Sequence, residues 1–278
     1  IASVRGKAFC GMTRREDVDE CGIFESTPFD HLVTKLARLL QAPGCIVTAT
    51  DCLYHLPKDY PVIRQGTPEA SGVVGLTIET PAALGSNHGV FVLEESETIG
   101  IRPLINILQK ASQSTLSQVH AITSRHTVLL DSGIIFLPPT CVNGLIEFIT
   151  QRVTPFYTCI DGMCAEDEQV FRFELYTDIL LPLNPSLSHT DYLASSPPDS
   201  NYPLELLHDA RRKLWQLMQT MKGYGAVHPA AKFYHMGTIP ERMEYMFSQE
   251  EVYRQLREEH LFTFQSHVHW NIHQPSAS

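Results

Sequence analysis

No run of about eighteen consecutive apolar residues occurs in the chain, so a membrane-spanning helix is not expected. The first ten residues, IASVRGKAFC, lack the continuous apolar centre of a secretory leader. Positive charge is also short. Against 31 Asp and Glu there are 21 Lys and Arg, a formal net charge of −10. A general nucleic-acid-binding surface needs the opposite balance, so nucleic acid is not an expected partner, although a local basic pocket for phosphate remains compatible. Cysteine is sparse and poorly spaced for a framework. Cys10, Cys21, Cys45, Cys52, Cys141, Cys159 and Cys164 are odd in number and include no Cys-x2-Cys pair. That argues against a zinc site or a disulfide scaffold. Several lie in apolar runs, as buried reduced thiols of a cytosolic protein do. Internal repeats and coiled-coil heptads are missing too.

What is present is ordinary globular material. The 278 residues are 43% hydrophobic and 19% charged, room for one large domain or two small ones. The organising stretch is Gly44 to Pro57, GCIVTATDCLYHLP. Its apolar run, Cys45 to Ala49, reads as a central, buried parallel strand running into Asp51. In an open α/β sheet, ligands bind outside the carboxyl ends of the strands. A carboxylate there suits Mg2+ beside a nucleotide phosphate. The other reading of Asp51 is a turn or N-cap residue.

Around that stretch helices and strands alternate. Phe29 to Leu40 has apolar residues at helical spacing, with Thr27-Pro28 as its start and Pro43-Gly44 beyond its end. Val73–Ile78 and Gly89–Leu93 read as strands, and Arg102–Ser117 as a helix with an apolar stripe. Ser124–Pro139 gives two apolar runs around Asp131-Ser132-Gly133. Val142–Ile149 reads as a helix. Phe171, Phe173 and Leu175 alternate as in a strand, and Asp178 opens a short helix stopping at Pro182. Residues 184–203, rich in Ser, Pro and Asn, read as loop. Leu204–Met221 is amphipathic. AAKFYHMGT reads as a strand entering a tight turn, IPERMEYMF as a short helix, and residues 250–260 as a charged helix. This alternation predicts an α/β sheet flanked by helices.

Polar residues that interrupt apolar runs are the candidate site residues. His88, at the entrance of the Gly89 strand, either hydrogen-bonds substrate hydroxyls or phosphate, or is satisfied by turn backbone. Asp131, Ser132 and Gly133 break a strand at its centre, which is unfavourable unless satisfied. They read either as a sugar-binding group or as a β-bulge at Gly133. Asp178 is either a metal ligand or the N-cap of its helix.

Four strings, in order, resemble one family. ASVRGKAF is similar to the second half of the signature loop of fucose-1-phosphate guanylyltransferases and the related front part of L-fucokinases. SNHGVFVLE resembles their THGVFVLD strand, and DSGIIFL the Ser-bearing strand after it. KFYHMGTIPERMEYMF resembles their closing KFYHIGTTEEYLFHF segment and is the most specific of the four. The resemblance covers roughly residues 2–250. It implies a Rossmann-like, GT-A-like nucleotide-diphosphosugar transferase fold with a mixed sheet. It also implies the reaction GTP + L-fucose 1-phosphate → GDP-L-fucose + pyrophosphate. Residues 1–247 would be the nucleotidyltransferase domain, without its first strand and Gly-rich loop. Residues 248–278 would be a helix and tail leading to a β-helix, or to a kinase domain, elsewhere in the full-length chain.

By the same resemblance, Lys7 fills the Gly-Lys position of the signature loop and would balance phosphate charge; its other reading is a solvated surface lysine. Asp51 would hold Mg2+, with Asp178 as second ligand, matching the Asp of the family's YGDFL segment. His88, Asp131, Ser132 and Gly133 would bind substrate. The expected cleft places Asp51, His88 and Ser132 on one side of the sheet. Where the broader transferase group carries Asp-x-Gly-Thr, this chain has His235-Met236-Gly237-Thr238. A carboxylate is the better Mg2+ ligand, so a non-catalytic domain that regulates or scaffolds an L-fucokinase is the second expectation. The kinase active site itself is not expected here, because no Gly-rich ATP loop with small hydroxyl residues occurs.

Overall fold

A computed structural model gives the fold over residues 14–18, 22–26, 28–49, 52–96, 98–150, 174–195 and 204–235, with Pro240, Met243 and Phe247. The chain divides into two units. The first takes Ile1–Arg38, Ala49–Leu56 and Lys232–Ser278, and the second takes Leu39–Thr48 and Pro57–Ala231.

In the first unit, β1 (Arg14–Val18) and β2 (Gly22–Ser26) form an antiparallel hairpin. Helix α1 (Pro28–Leu39) begins at a proline, whose fixed φ and missing N–H suit a first helical turn. Its Leu32 and Leu36, one turn apart, are buried. Strand β5 (Cys52–His55) pairs antiparallel with β12 (Lys232–His235). The rings of Tyr54 and Phe233 stack at 6.4 Å, and Lys35 Nζ on α1 donates to the Tyr54 carbonyl at 2.6 Å.

The second unit is built on a six-stranded mixed sheet. Its strands are β4 (Cys45–Thr48), β7 (Val73–Pro81), β8 (Gly89–Leu93), β9 (Gly100–Gln109), β10 (Thr127–Leu137) and β11 (Gly223–Val227), in the order β4-β10-β7-β11-β9-β8. Within it β7 and β11 are parallel and the other pairings antiparallel. Strand β8 also pairs with the first half of β10, through Leu129↔Phe91 and Leu130↔Val90, so five of the strands are neighbours in a ring. A short parallel pair, β3 (Leu40–Gln41) with β6 (Ile63–Arg64), stands apart.

One face of the sheet buries Val73, Phe91, Leu93, Leu104, Ile107 and Ile135 against α3 (Pro139–Thr150), α5 (Leu204–Met218) and the turns at Leu175–Leu183. From α5 come Leu207, Ala210, Leu214 and Met218, the i, i+3, i+7 stripe that faces a core. Strand β7 has Gly75 where Phe91 crosses it. A Cβ there would meet the Phe91 ring at 2.5 Å, so only glycine admits the approach. Two short helices, α2 (Gln113–Gln118) and α4 (His189–Ala194), are capped by Ser112 and Ser188, which accept from Thr115 N–H and Asp191 N–H. No helix among the described residues is long and apolar enough to cross a membrane.

Several sequence expectations change. Residues 45–48 do form a strand, but β4 is the edge of the sheet, antiparallel to β10 and half exposed, not a central parallel strand. Arg102–Ser117 is not a helix: residues 100–109 are β9, and helix is confined to α2. The reason is a bulge. Leu93 pairs with Leu104 and Val92 with Asn106, leaving Ile105 as an extra residue. The slip places buried Leu104 and Ile107 three apart, which imitates helical spacing. Gly223–Val227 is an interior strand that its two glycines concealed. The loop at 184–203 contains α4. Residues 171–173 and 250–260 lie outside the described residues.

Leu214 is fully buried and Ile146 on α3 is 54% exposed. Leu214→Ala is expected to lower unfolding free energy by about 3 kcal/mol and Ile146→Ala by less than about 0.5 kcal/mol, read by urea denaturation.

Candidate functional site

The ladder between β10 and β7 is broken at one place. Asp131 pairs with Thr77 and Ile135 with Gly75, so Ser132, Gly133 and Ile134 stand opposite Leu76 alone. Gly133 adopts φ +74°, a left-handed conformation that favours glycine. The neighbouring side chains support the break. Asp131 Oδ1 accepts from Gly133 N–H at 2.9 Å and Ser132 Oγ accepts from Ile134 N–H at 3.3 Å. The bulge reading of this triplet is therefore the one realised. Ser132 is buried at 2% exposure and, with Gly133, shapes the strand.

Asp131 does more than that. Its carboxyl is half-buried, and no protein partner is found on Oδ2 among the described residues. Gly89, at the start of β8, lies beside it. A Cβ on Gly89 would sit 3.3 Å from Asp131 Cβ, 3.3 Å from Gln109 Oε1 and 2.7 Å from Tyr176 Cε2. Four residues from three strands and the π turn Leu175–Leu180 thus converge: Gly89, Gln109, Asp131 and Tyr176. The Tyr176 hydroxyl donates to the Leu108 carbonyl at 2.6 Å. Burial raises the Tyr176 hydroxyl pKa, and the nearby Asp131 charge raises it further. Burial pushes the Asp131 carboxyl up to about 6, against the Gly133 N–H, which lowers it. A carboxylate with one oxygen fixed and the other open can accept a hydrogen bond from a hydroxyl-bearing ligand. His88 immediately precedes Gly89, is exposed, and accepts on its carbonyl from Lys110 N–H at 3.0 Å.

Asp178 is corrected. It is 1% exposed, and its Oδ2 accepts from Glu174 N–H at 2.8 Å, reaching back to the start of its own turn. Its Oδ1 lies 3.1 Å from Arg211 Nη1, close but without hydrogen-bonding alignment. Arg211, on α5 and fully buried, donates from Nη2 to the Tyr192 carbonyl at 2.7 Å and to Ser195 Oγ at 3.0 Å. Its guanidinium sits 4.2 Å from the centre of the Tyr192 ring. Burial raises the Asp178 pKa more than the Glu174 N–H and Arg211 lower it. With both oxygens facing protein, Asp178 is an internal structural partner, neither a metal ligand nor an N-cap.

Lys7 and Asp51 lie outside the described residues, which resume at Cys52. Among the described residues no group of three or more His, Cys, Asp or Glu is placed to hold a metal ion, and Asp51, expected to hold Mg2+, lies outside them. His235 closes β12 and is exposed. Of the expected site residues, the structure brings Asp131 beside Gly89, with His88 at the adjoining strand entrance. Tyr176 and Gln109 were not foreseen. The one signal for them is Gln109, a polar end to an apolar strand across from Gly89.

A sequence profile described as the fucose pyrophosphorylase domain matches residues 1–276. The chain belongs to the fucose pyrophosphorylase domain family. No curated protein is similar enough in sequence to match it. Solved structures that resemble this fucose pyrophosphorylase domain include an apo UDP-glucose pyrophosphorylase, at 15% identity over 72% of this chain and 51% of that chain, TM-score 0.34. Another is a UTP-bound UGPase from Acinetobacter baumannii, at 11% identity over 84% and 61%, TM-score 0.35. The chain therefore spans less than two thirds of the length of these structures.

Two outcomes are expected of this geometry. Between the ordinary carboxyl value of 3.8 and about 6, the folded chain binds more protons at Asp131 than the unfolded chain. Stability from this group therefore falls as pH rises through that window, by up to about 3 kcal/mol, and stays low above it. Asp131→Asn keeps the acceptor for Gly133 N–H and is expected to gain stability at pH 8 relative to pH 4, measured by urea denaturation at both. Arg211→Ala strands the Asp178 carboxyl and is expected to cost about 3–5 kcal/mol, with Arg211→Met combined with Asp178→Asn recovering most of it. Thermal unfolding of Arg211→Ala and of the double variant checks this.

Proposed function

We propose that the chain supplies the nucleotidyl-transfer domain of a fucose-1-phosphate guanylyltransferase, joining GMP from GTP to L-fucose 1-phosphate with release of pyrophosphate. The family match over residues 1–276 carries this reading. In the reaction a phosphate oxygen of the sugar phosphate attacks the α-phosphorus and pyrophosphate leaves. Positioning and electrostatics supply most of the barrier reduction, so the residues needed are those that hold hydroxyls and phosphates still. Asp131 supports this as an acceptor for a sugar hydroxyl, with His88 beside it for a hydroxyl or phosphate oxygen. Lys7 is proposed for phosphate charge and Asp51 for Mg2+. The fold is then that of nucleotide-diphosphosugar transferases, GT-A-like. The enzyme would act in the cytoplasm, where a buried thiol such as that of Cys141 stays reduced.

A second reading is favoured by one observation. His235 ends β12 where the broader group carries an acidic residue. On that reading the domain regulates or scaffolds an L-fucokinase without turning over.

A turnover assay separates them. Full-length protein with Mg2+, a panel of nucleoside triphosphates and a panel of sugar 1-phosphates is expected to release pyrophosphate, most rapidly with GTP and L-fucose 1-phosphate. Asp51→Ala is expected to reduce the rate by about a hundredfold or more. No product with any pair, from folded protein, favours the second reading.

A further inference from the structure

Tyr176 is the least explained member of the Asp131 cluster. Its ring rests against the bare backbone of Gly89, 2.7 Å from where a Cβ would be. Its hydroxyl is spent on the Leu108 carbonyl, so it makes no bond to the carboxyl beside it. The ring is close enough for the Asp131 charge to be felt at the phenol. It comes from the turn at Leu175–Leu180, whose Asp178 is tied to Arg211 on α5. Position is therefore imposed on Tyr176 from two sides: the carbonyl of β9 and the packed turn behind it.

We propose that Tyr176 is a positioning residue for Asp131: seated on Gly89 and pinned to Leu108, it walls one side of the carboxyl from water and leaves Oδ2 as the oxygen that accepts from a sugar hydroxyl. This rests on the sugar-phosphate reading above for the ligand, but not for the geometry. Oδ1 is held by Gly133 N–H, which fixes the plane of the carboxyl and leaves its other oxygen open. Gln109, exposed on β9 and 3.3 Å from the Gly89 Cβ position, stands where the same ligand could meet an amide. Charges do not compete. Only burial and the Gly133 N–H shift the Asp131 carboxyl. The titratable groups on the packed elements are Tyr176 and Asp178 in the π turn, Glu79 on β7, Arg102 on β9 and Cys45 on β4, with His88 just before β8 and Lys110 just after β9.

The test follows Asp131 directly. Carboxyl 13C NMR titration of the full-length protein, with Asp131→Asn to assign the signal, is expected to show a midpoint near 6 in the wild type. Tyr176→Ala and Gly89→Ala, the second of which displaces the ring with the phenol intact, are both expected to move the midpoint down by about one unit. Tyr176→Phe keeps the ring and is expected to hold the midpoint while raising KM for L-fucose 1-phosphate more than it lowers kcat. An Asp131 midpoint unmoved in folded Gly89→Ala overturns the proposal, as does a KM unchanged in Tyr176→Phe. Should Tyr176→Ala fail to fold, Gly89→Ala and Tyr176→Phe decide alone. A wild type that turns over neither GTP nor L-fucose 1-phosphate removes the proposed reaction, while the titrations still judge Tyr176.

Discussion

A strand has two edges, and β10 must serve three partners with them. One edge belongs to β7 for almost its whole length. Along the other, β8 takes the first half and β4 the second. The change of neighbour falls between Asp131 and Ile135, where the β7 ladder also slips. Backbone groups set loose at such a break need partners from nearby side chains. Asp131 and Ser132 supply them, and Gly133 supplies the left-handed turn of the chain. The polar triplet inside an otherwise apolar strand is thus required by the way the sheet is assembled. The functional use proposed for it would be an addition to a structural necessity.

That addition has a cost that burial makes visible. A carboxyl raised to about 6 opposes folding at neutral pH, where a neutral amide would keep the same bond to Gly133. Sites that retain a charge at the expense of stability are where binding chemistry is usually found. Ser132 shows the contrast within the same bulge: buried, bonded to Ile134 and without such a penalty. The two residues are adjacent in sequence and differ in what the structure asks of them.

The sequence made some of this readable. Helices α1 and α5 follow from apolar spacing, and β8 from an unbroken apolar run bounded by a turn. Asp131 was legible because a charge in the middle of a strand demands a reason. Strand β9 was not, since the extra residue Ile105 shifts its inward positions out of alternation. Strand β11 was hidden by Gly223 and Gly225, which carry no β signal yet let Leu104 and Leu93 pack onto them. The edge position of β4 could not be read from an apolar run, because burial depends on neighbours the run does not specify. The nearness of Tyr176 to Asp131 spans 45 positions, and only folded strand pairing and the π turn create it. Asp178 resembled a ligand by local similarity, and its partner, Arg211, lies on a helix far along the chain.

Arg211 has a further effect on how the second unit is assembled. Its neighbours along the stripe of α5 are hydrocarbon: Leu207 before it and Leu214 after it. Were the helix to slide by one turn along its groove, the guanidinium would enter a slot cut for leucine, and a leucine would face the Asp178 carboxylate. Both mismatches are severe in a dry interior. A purely greasy stripe would tolerate several alignments; one cation in its midst acts as a key that turns in only one lock.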